Sequence, residues 1–228
     1  MGFLQVHLSQ WKNSREIQTN NSGKIMEKSI VIIGASGHGK VVADIARKTG
    51  YKKIIFLDDN AHRTSCVEYP VEGPVAGYRN YDCDMVVAIG NAEVRQRIQT
   101  ELMNAGKHLA TLIHPAAVLG ENVVLGEGTV VMAGAVVNPC VLIGKGCIIN
   151  TCASVDHDCE VEDYVHISVG AHLAGNVHVG KGTWIGIGAV INNNISITSG
   201  CMIGAGAVVV HDIGIEGTYI GVPVKRLK

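Results

Sequence analysis

The chain has 228 residues, 17% of them charged, and a formal net charge of −1. This length accommodates two modest domains, and the near-neutral charge lacks the basic field that binds nucleic acid, so nucleic-acid partners are not expected. Aromatic residues make up 4% whereas glycine occurs 28 times, which fits a narrow core of small aliphatic side chains, and no apolar segment is long enough to span a membrane.

The N-terminal segment, residues 1–25, has no uninterrupted apolar run and no cleavage site. We therefore do not expect it to be a signal peptide, and we interpret it as a leader or a disordered extension before Met26. The seven cysteines form no CxxC pair. This cysteine usage predicts reduced thiols and a cytoplasmic protein.

Residues 26–110 alternate strand and helix signals and predict a Rossmann-like α/β domain with a parallel sheet. In chain order, the predicted elements are a strand at 29–34, a helix from Val41 through Ala46, strands at 53–57 and 85–89, and a helix at about 92–104. In such a sheet, ligands bind at the carboxyl ends of the strands.

The Gly-rich turn after the first strand is the candidate ligand loop of this domain. Its Gly34-x4-Gly39-Lys40 pattern mimics a phosphate-binding ATPase loop, but Val41 stands where a hydroxyl should hold magnesium, which argues against an ATPase. The glycines also miss the dinucleotide spacing, although Asp58 lies where an acidic residue would bind a ribose. We therefore predict a nucleotide site without a redox cofactor; the alternative is a tight turn without a ligand.

Residues 111–212 contain sixteen consecutive hexads with an aliphatic residue at one phase, from Leu119 to Val209, and a small or β-branched residue two positions earlier. A period of six does not suit a helix, but it suits short strands whose alternate side chains point inward. Three hexads close a triangular coil, and the stacked coils form a parallel β-helix, left-handed in the known folds with this repeat. Residues 213–228 are predicted to form a C-terminal tail.

The densest polar cluster in the repeat consists of Asn150, His157, Asp158 and His166. An imidazole accepts a proton near neutral pH, and a neighbouring carboxylate stabilises its charged form. His157 and Asp158 supply both groups, provided that the chain turns a corner there, because adjacent strand residues point in opposite directions. We interpret the other histidines of the repeat, His172 and His178, as surface or packing residues.

Counting in eighteens places Asn150 and His166 on one face and His157 at the corner between the other two. The outward positions of the His166 face form an apolar ladder: Val130, Ile148, His166, Trp184 and Met202. A soluble β-helix does not leave such a ladder in water, so we predict a subunit contact there, most simply in a homotrimer. In that trimer, His157 of one chain faces the His166-bearing face of its neighbour.

The chain resembles the bacterial nucleotide-sugar N-acetyltransferases of the bacillosamine type, which act on a UDP-4-amino sugar. The resemblance runs from Ile30 to the C-terminus. It rests on GASGHG at 34–39, GYKKIIFLDD at 50–59, AIGN at 88–91, INT at 149–151, HDC at 157–159, HISVGA at 166–171, AGNV at 174–177 and GVPVKR at 221–226.

This resemblance implies direct acetyl transfer from acetyl-CoA to the amine of a nucleotide-linked 4-amino-4,6-dideoxy sugar, with no metal. His157 is implied to be the general base, with Asp158 tuning it and Asn150 near the reacting groups. Acetyl-CoA contacts are implied for His166, Ile187 and Ala205, although Ala205 replaces a glycine. The implied nucleotide-sugar ligands are Ser36, Gly37, His38, Asp58, Asp59 and Gly90.

Three alternatives remain at this stage. A sugar O-acetyltransferase of the sialic-acid type keeps the donor but uses a hydroxyl acceptor. A γ-class carbonic anhydrase would bind zinc through three histidines between subunits; His166 and His172 fall on different faces, which weakens it. A non-catalytic scaffold would leave the His157-Asp158 pair unexplained.

Overall fold

The N-terminal domain is a three-stranded parallel sheet with flanking helices. The computed structural model describes residues 27–227, so the predicted leader lies outside the described residues. The elements are β1 (Ser29–Ile33), α1 (Gly37–Lys48), β2 (Lys53–Leu57), β3 (Ser65–Cys66), β4 (Tyr69–Pro70), a 3-10 helix (Val75–Asn80), β5 (Asp84–Val87) and α2 (Ala92–Asn104). The sheet order is β2-β1-β5. The three strands and two helices predicted for this region are present, and the short β3–β4 hairpin and the 3-10 helix are additions, since two-residue strands leave no readable period.

The central strand β1 is apolar throughout because both faces of the sheet are covered. Ile30 and Ile32 pack in a cluster with the buried side of α1, whereas Val31 and Ile33 pack on the other side with residues of α2. Neither α1 nor α2, the two α-helices of the described chain, is long and apolar enough to cross a membrane.

The repeat folds into a left-handed β-helix of two-residue strands, and its three sheets are here named faces 1, 2 and 3. Face 1 contains β6 (Leu112–Ile113), β9 (Val130–Val131), β12 (Ile148–Ile149), β15 (His166–Ile167), β18 (Trp184–Ile185), β21 (Met202–Ile203), β23 (Thr218–Ile220) and β24 (Lys225–Arg226). Face 2 contains β7 (Val118–Leu119), β10 (Val136–Val137), β13 (Ser154–Val155), β16 (His172–Leu173), β19 (Val190–Ile191) and β22 (Val208–Val209). Face 3 contains β8 (Val124–Leu125), β11 (Leu142–Ile143), β14 (Glu160–Val161), β17 (His178–Val179) and β20 (Ser196–Ile197).

The pairing register confirms the predicted eighteen-residue coil. Ile148 pairs with His166, and His166 with Trp184, always in parallel. The predicted inward side chains form one continuous buried cluster through the centre of the β-helix. The strand pair β23–β24 continues face 1 beyond the last complete coil.

The corners of the β-helix share one backbone conformation. At intervals of six residues, one turn residue has a positive φ, and the non-glycine examples are Asn122, Cys140, Cys152, Asp158, Tyr164, Asn176 and Asn194. Asparagine and aspartate tolerate this left-handed conformation better than most residues. Asp158, with φ 59°, therefore occupies the turn position directly after His157, at a corner as the sequence predicted.

The N-terminal domain covers the first coils of face 1. Val130 and Ile148 are each 1% exposed and share a buried cluster with Ile30 and Val42 of that domain. The prediction that this ladder contacts another subunit is therefore wrong for these residues. The apolar side chains that point outward on face 1 indicate that another surface covers them. A domain of the same chain can provide that surface as well as a partner subunit can. Met202 near the far end is 42% exposed.

Candidate active site

The predicted site residues lie in separate parts of the β-helix. His157 and Asp158 form the corner that joins faces 2 and 3. Asn150 and His166 lie on face 1, on the opposite side of the internal core, beside the N-terminal domain. One chain therefore brings together the residues within each group but not the two groups.

The corner group is an exposed histidine paired with a carboxylate. Nδ1 of His157 lies 2.8 Å from Oδ2 of Asp158, and both side chains are 60% exposed. The bond from Asp158, followed by the negative charge of Asp156, raises the pKa of His157 above its ordinary value. With Nδ1 donating to the carboxylate, Nε2 keeps its lone pair and can accept a proton.

Asp156 is a residue of this group that the sequence reasoning missed. Its Oδ1 accepts the backbone N–H of His157 at 2.8 Å and the side-chain amide of Asn138 at 2.6 Å. Asn138 and Asp156 are eighteen residues apart, one coil. That interval is the signal by which the pair is recognisable in the sequence.

The cleft group lies where the N-terminal domain meets face 1. Nε2 of His166 lies 3.0 Å from Nδ2 of Asn150, and the ring centroids of His166 and Trp184 are 4.3 Å apart. Since the amide of Asn150 donates, Nε2 accepts and Nδ1 carries the proton. Within residues 27–227, neither Nδ1 nor the buried hydroxyl of Ser168 has a hydrogen-bond partner. Burial, then the positive charge of Arg95, lowers the pKa of His166 to about 3, so its imidazole is neutral and retains one free donor.

His38 approaches this cleft from the first turn of α1. Its Nε2 is buried without a partner in the described part of the chain. Burial, then Arg95, lowers the pKa of His38 to about 4. Ser36 is the N-cap residue of α1, but its side chain caps no N–H group, and the first turn has no acidic residue. This helix end is therefore suited to an anionic ligand.

Glycine is required in the turn that leads to α1. A Cβ at Gly39 would lie 2.2 Å from the carbonyl oxygen of Gly34, so only glycine allows the two backbones to approach. At Gly37, by contrast, no atom lies within 4 Å of an added Cβ. The space in front of Gly37 is open, and it lies at the carboxyl edge of the sheet.

The two aspartates after β2 hold backbone groups in place. Asp58 accepts the N–H of Ala35 at 2.7 Å and the guanidinium of Arg63 at 3.1 Å. Burial alone would raise the pKa of Asp58, but these bonds and the N–H of Asn60 hold it below its ordinary value. Asp59 accepts the N–H of Val75 at 2.9 Å. Asp58 therefore fixes the Gly-rich turn, and its contact with a ribose stays a prediction.

Of the three residues predicted to contact acetyl-CoA, two lie together at one corner of the β-helix and the third, His166, lies apart from them. Ile187, 55% exposed, and Ala205 occupy equivalent positions of successive coils at the corner between faces 1 and 2. Val169, 41% exposed, lies one coil before Ile187. These side chains form an exposed apolar corner, whereas His166 lies beneath the N-terminal domain on face 1. The corner suits the apolar part of an extended thiol cofactor.

The three histidines that could bind zinc in a carbonic anhydrase lie on different faces of the β-helix. His166, His172 and His178 lie on faces 1, 2 and 3. In the described range, no three histidine, cysteine or acidic side chains are placed to hold a metal ion. A three-histidine zinc site within one chain has no counterpart in this arrangement.

Comparison with known proteins gives matches over both domains. Residues 29–102 match the family model of the PglD N-terminal domain. Over 112 residues, the chain is 35% identical to UDP-N-acetylbacillosamine N-acetyltransferase of Bacillus subtilis, a match that covers 46% of this chain. The matched region spans about half, 52%, of that relative's length.

Solved structures match most of the chain. The acetyltransferase domain of PglB from Neisseria gonorrhoeae, in complex with acetyl coenzyme A, is 40% identical with a TM-score of 0.85, over 89% of this chain and 100% of that one. PerB from Caulobacter crescentus, in complex with CoA and GDP-perosamine, is 36% identical with a TM-score of 0.83, over 89% and 99% of the two chains. Both matches include the N-terminal domain and the β-helix.

Proposed function

We propose that this chain, which belongs to the family of sugar N-acetyltransferases that includes PglB and PerB, transfers the acetyl group of acetyl-CoA to an amine of a nucleotide-linked sugar. The preferred acceptor is a UDP-linked 4-amino-4,6-dideoxy sugar. The names of the relatives support this class: one is a UDP-N-acetylbacillosamine N-acetyltransferase, and another is solved in complex with GDP-perosamine.

The observation that carries the proposal is the paired His157–Asp158 corner. Nε2 of His157 removes a proton from the attacking amine while Asp158 stabilises the resulting imidazolium. A bond forms between the amine nitrogen and the acetyl carbon, and the carbon–sulfur bond breaks. His157 then returns the proton to the CoA thiolate, so no covalent enzyme intermediate is needed.

The cleft holds the acceptor in this proposal. The nucleotide lies at the open end of α1, against Ser36 and Gly37, with Asp59 and Gly90 at its edge. Asp58 shapes the loop through Ala35. The sugar extends towards face 1, where the neutral side chains of His38 and His166, together with Asn150, offer hydrogen bonds to its polar groups.

The donor lies along the corner between faces 1 and 2. Ile187 and Ala205 contact the apolar arm of acetyl-CoA, and His166 approaches the thioester end. A cytoplasmic location fits this donor and the seven unpaired cysteines. The donor is a substrate, and no metal takes part in the proposed step.

The working enzyme is proposed to be a homotrimer. His157 lies across the β-helix core from the cleft of its own chain, so it reaches only an acceptor held by a neighbour. Cyclic packing of three chains places each His157 corner against the cleft side of the next chain. Each active site then contains residues from two chains.

The reaction is tested by following thiol release from acetyl-CoA with a panel of UDP- and GDP-linked amino sugars and their hydroxyl counterparts. The expected result is turnover with a UDP-linked 4-amino sugar, and loss of most turnover in His157→Ala while acetyl-CoA still binds. Retained turnover in that variant contradicts the mechanism. Turnover of hydroxyl acceptors only would identify the O-acetyltransferase alternative.

The shared site is tested by mixing two inactive variants. His157→Ala removes the base, and Gly90→Trp fills the cleft. Random reassembly in mixed trimers pairs two intact halves at one interface in four, so about a quarter of wild-type activity should return. Mixtures that stay inactive, in spite of proven subunit exchange, contradict a site formed between chains.

A further inference from the structure

Arg95 of α2 is a buried guanidinium that joins the two domains. It is 1% exposed. Its Nη1 donates to the carbonyl oxygens of Ile89 and Gly90 at 2.8 and 2.7 Å, its Nε to Gly146 at 2.7 Å, and its Nη2 to Tyr164 at 2.6 Å. Four of its five N–H donors are therefore used, two towards the N-terminal domain and two towards the β-helix.

The four carbonyl oxygens that accept hydrogen bonds from Arg95 belong to residues beside the proposed active site. Ile89 and Gly90 follow β5, at the carboxyl edge of the sheet where the nucleotide sugar is proposed to bind. Gly146 and Tyr164 are the corner residues just before β12 and β15, the strands that lead to Asn150 and carry His166. No carboxylate of residues 27–227 pairs with Arg95, so these carbonyl oxygens alone compensate the buried charge.

We propose that Arg95 is a positioning residue that locks the Gly90 end of the nucleotide-sugar site to the two β-helix coils carrying Asn150 and His166. This inference rests on the proposed function. Only the planar guanidinium fork can reach four carbonyl oxygens in two domains at once. The indole of Trp184 marks the joint, because an added Cβ on Gly90 would lie 3.8 Å from it, and its ring packs against His166.

The chain contains a matched control one helical turn further along α2. Gln99 is fully buried, and its Nε2 donates to the carbonyl oxygen of Gly128, the equivalent corner one coil before Gly146. Gln99 thus makes the same kind of interdomain contact as Arg95. Its Oε1 lies beside Gly146, where an added Cβ would stand 2.5 Å from it, but its hydrogen bond goes to Gly128 and not to Gly90, Gly146 or Tyr164. Gln99→Leu tests the cost of weakening domain docking in general.

The first measurement needs no substrate. In a Trp11→Phe background, Trp184 is the single tryptophan. Arg95→Lys keeps the charge but cannot bridge both domains, so Trp184 emission should shift to the red and become more accessible to acrylamide. Gln99→Leu should leave both unchanged. If Arg95→Lys also leaves both unchanged, the joint does not depend on Arg95 and the proposal is overturned, whatever the reaction proves to be.

The second measurement separates positioning from fold support. Arg95→Lys should raise KM for the nucleotide sugar or lower kcat by about 10- to 100-fold, the cost of misplacing one part of a site. The dissociation constant of acetyl-CoA, bound on the β-helix, should not change. An equal loss in Gln99→Leu at a matched fall in Tm would reduce Arg95 to a structural role. A wild-type chain that acetylates no amino sugar would instead refute the proposed function, with the fluorescence result standing by itself.

Discussion

The imidazole of His157 lies directly over the Cα of Gly175 in the next coil. A Cβ at position 175 would stand 2.6 Å from both Cε1 and Nε2 of that ring. Gly175 does not need its conformational freedom, since its φ is not positive. The missing side chain at Gly175 therefore leaves the space that the imidazole of the proposed base occupies.

Gly175→Ala should displace the His157 ring without disturbing the fold, because the side chain that clashes is exposed and free to rotate. We expect kcat to fall about 10- to 100-fold, the range for a small misplacement of a catalytic group, with Tm unchanged. The control is Gly214→Ala, where no atom lies within 4 Å of an added Cβ. Full activity in Gly175→Ala would show that the observed ring position is not the reactive one.

Asp158→Asn should change the pH profile of the reaction. A general base works in its neutral form, so kcat/KM rises with pH through the pKa of His157, which Asp158 and then Asp156 hold above the ordinary 6.5. Without the carboxylate at position 158, this pKa falls and the acidic limb moves to lower pH, while the maximal rate decreases. If the acidic limb of the pH profile does not move in Asp158→Asn, that limb reports the titration of a group other than His157.

Much of the fold is predictable from the sequence because the hexad has a strict geometric meaning. Leu119 and Val209 belong to one inward phase, and a one-residue slip would expose the whole set. The corner position of Asp158 follows from the same count. The identity of the surface that covers face 1 does not follow, because Val130 and Ile148 show only that their side chains avoid water.

The cleft is less predictable than the corner. His157 and Asp158 are adjacent in sequence, so their pairing is a local inference. His38 and His166 come near enough to affect each other only because two domains dock, and a single sequence contains no pattern that predicts docking. Arg95 lies in a helix rich in polar residues, α2, and a charged residue there is normally read as solvated. Its burial is visible only in three dimensions.

Ile148→Ala tests which surface covers face 1. The side chain is 1% exposed within one chain, so its truncation should lower the free energy of unfolding by about 2–5 kcal/mol, even under conditions that dissociate the oligomer. Leu142→Ala on face 3, where the side chain is 46% exposed, should change it by less than about 0.5 kcal/mol. Denaturant titrations measure both. If Ile148→Ala were destabilised only in the oligomer, Ile148 would be buried by a neighbouring subunit and face 1 would be a subunit contact.

His166→Gln should make the protein less sensitive to acid. The folded pKa of His166 is about 3 because of burial and then Arg95, against 6.5 for the ordinary group. Between these values the unfolded chain binds a proton that the folded chain does not. The contribution of His166 to the free energy of unfolding is therefore full above pH 6.5 and declines as the pH falls towards 3. The slope is at most about 1.4 kcal/mol per pH unit for one histidine, and glutamine removes it. Urea midpoints between pH 4.5 and 7, with the exposed His172→Gln as control, measure the difference. An unchanged slope in His166→Gln would mean that the fold does not hold this imidazole neutral.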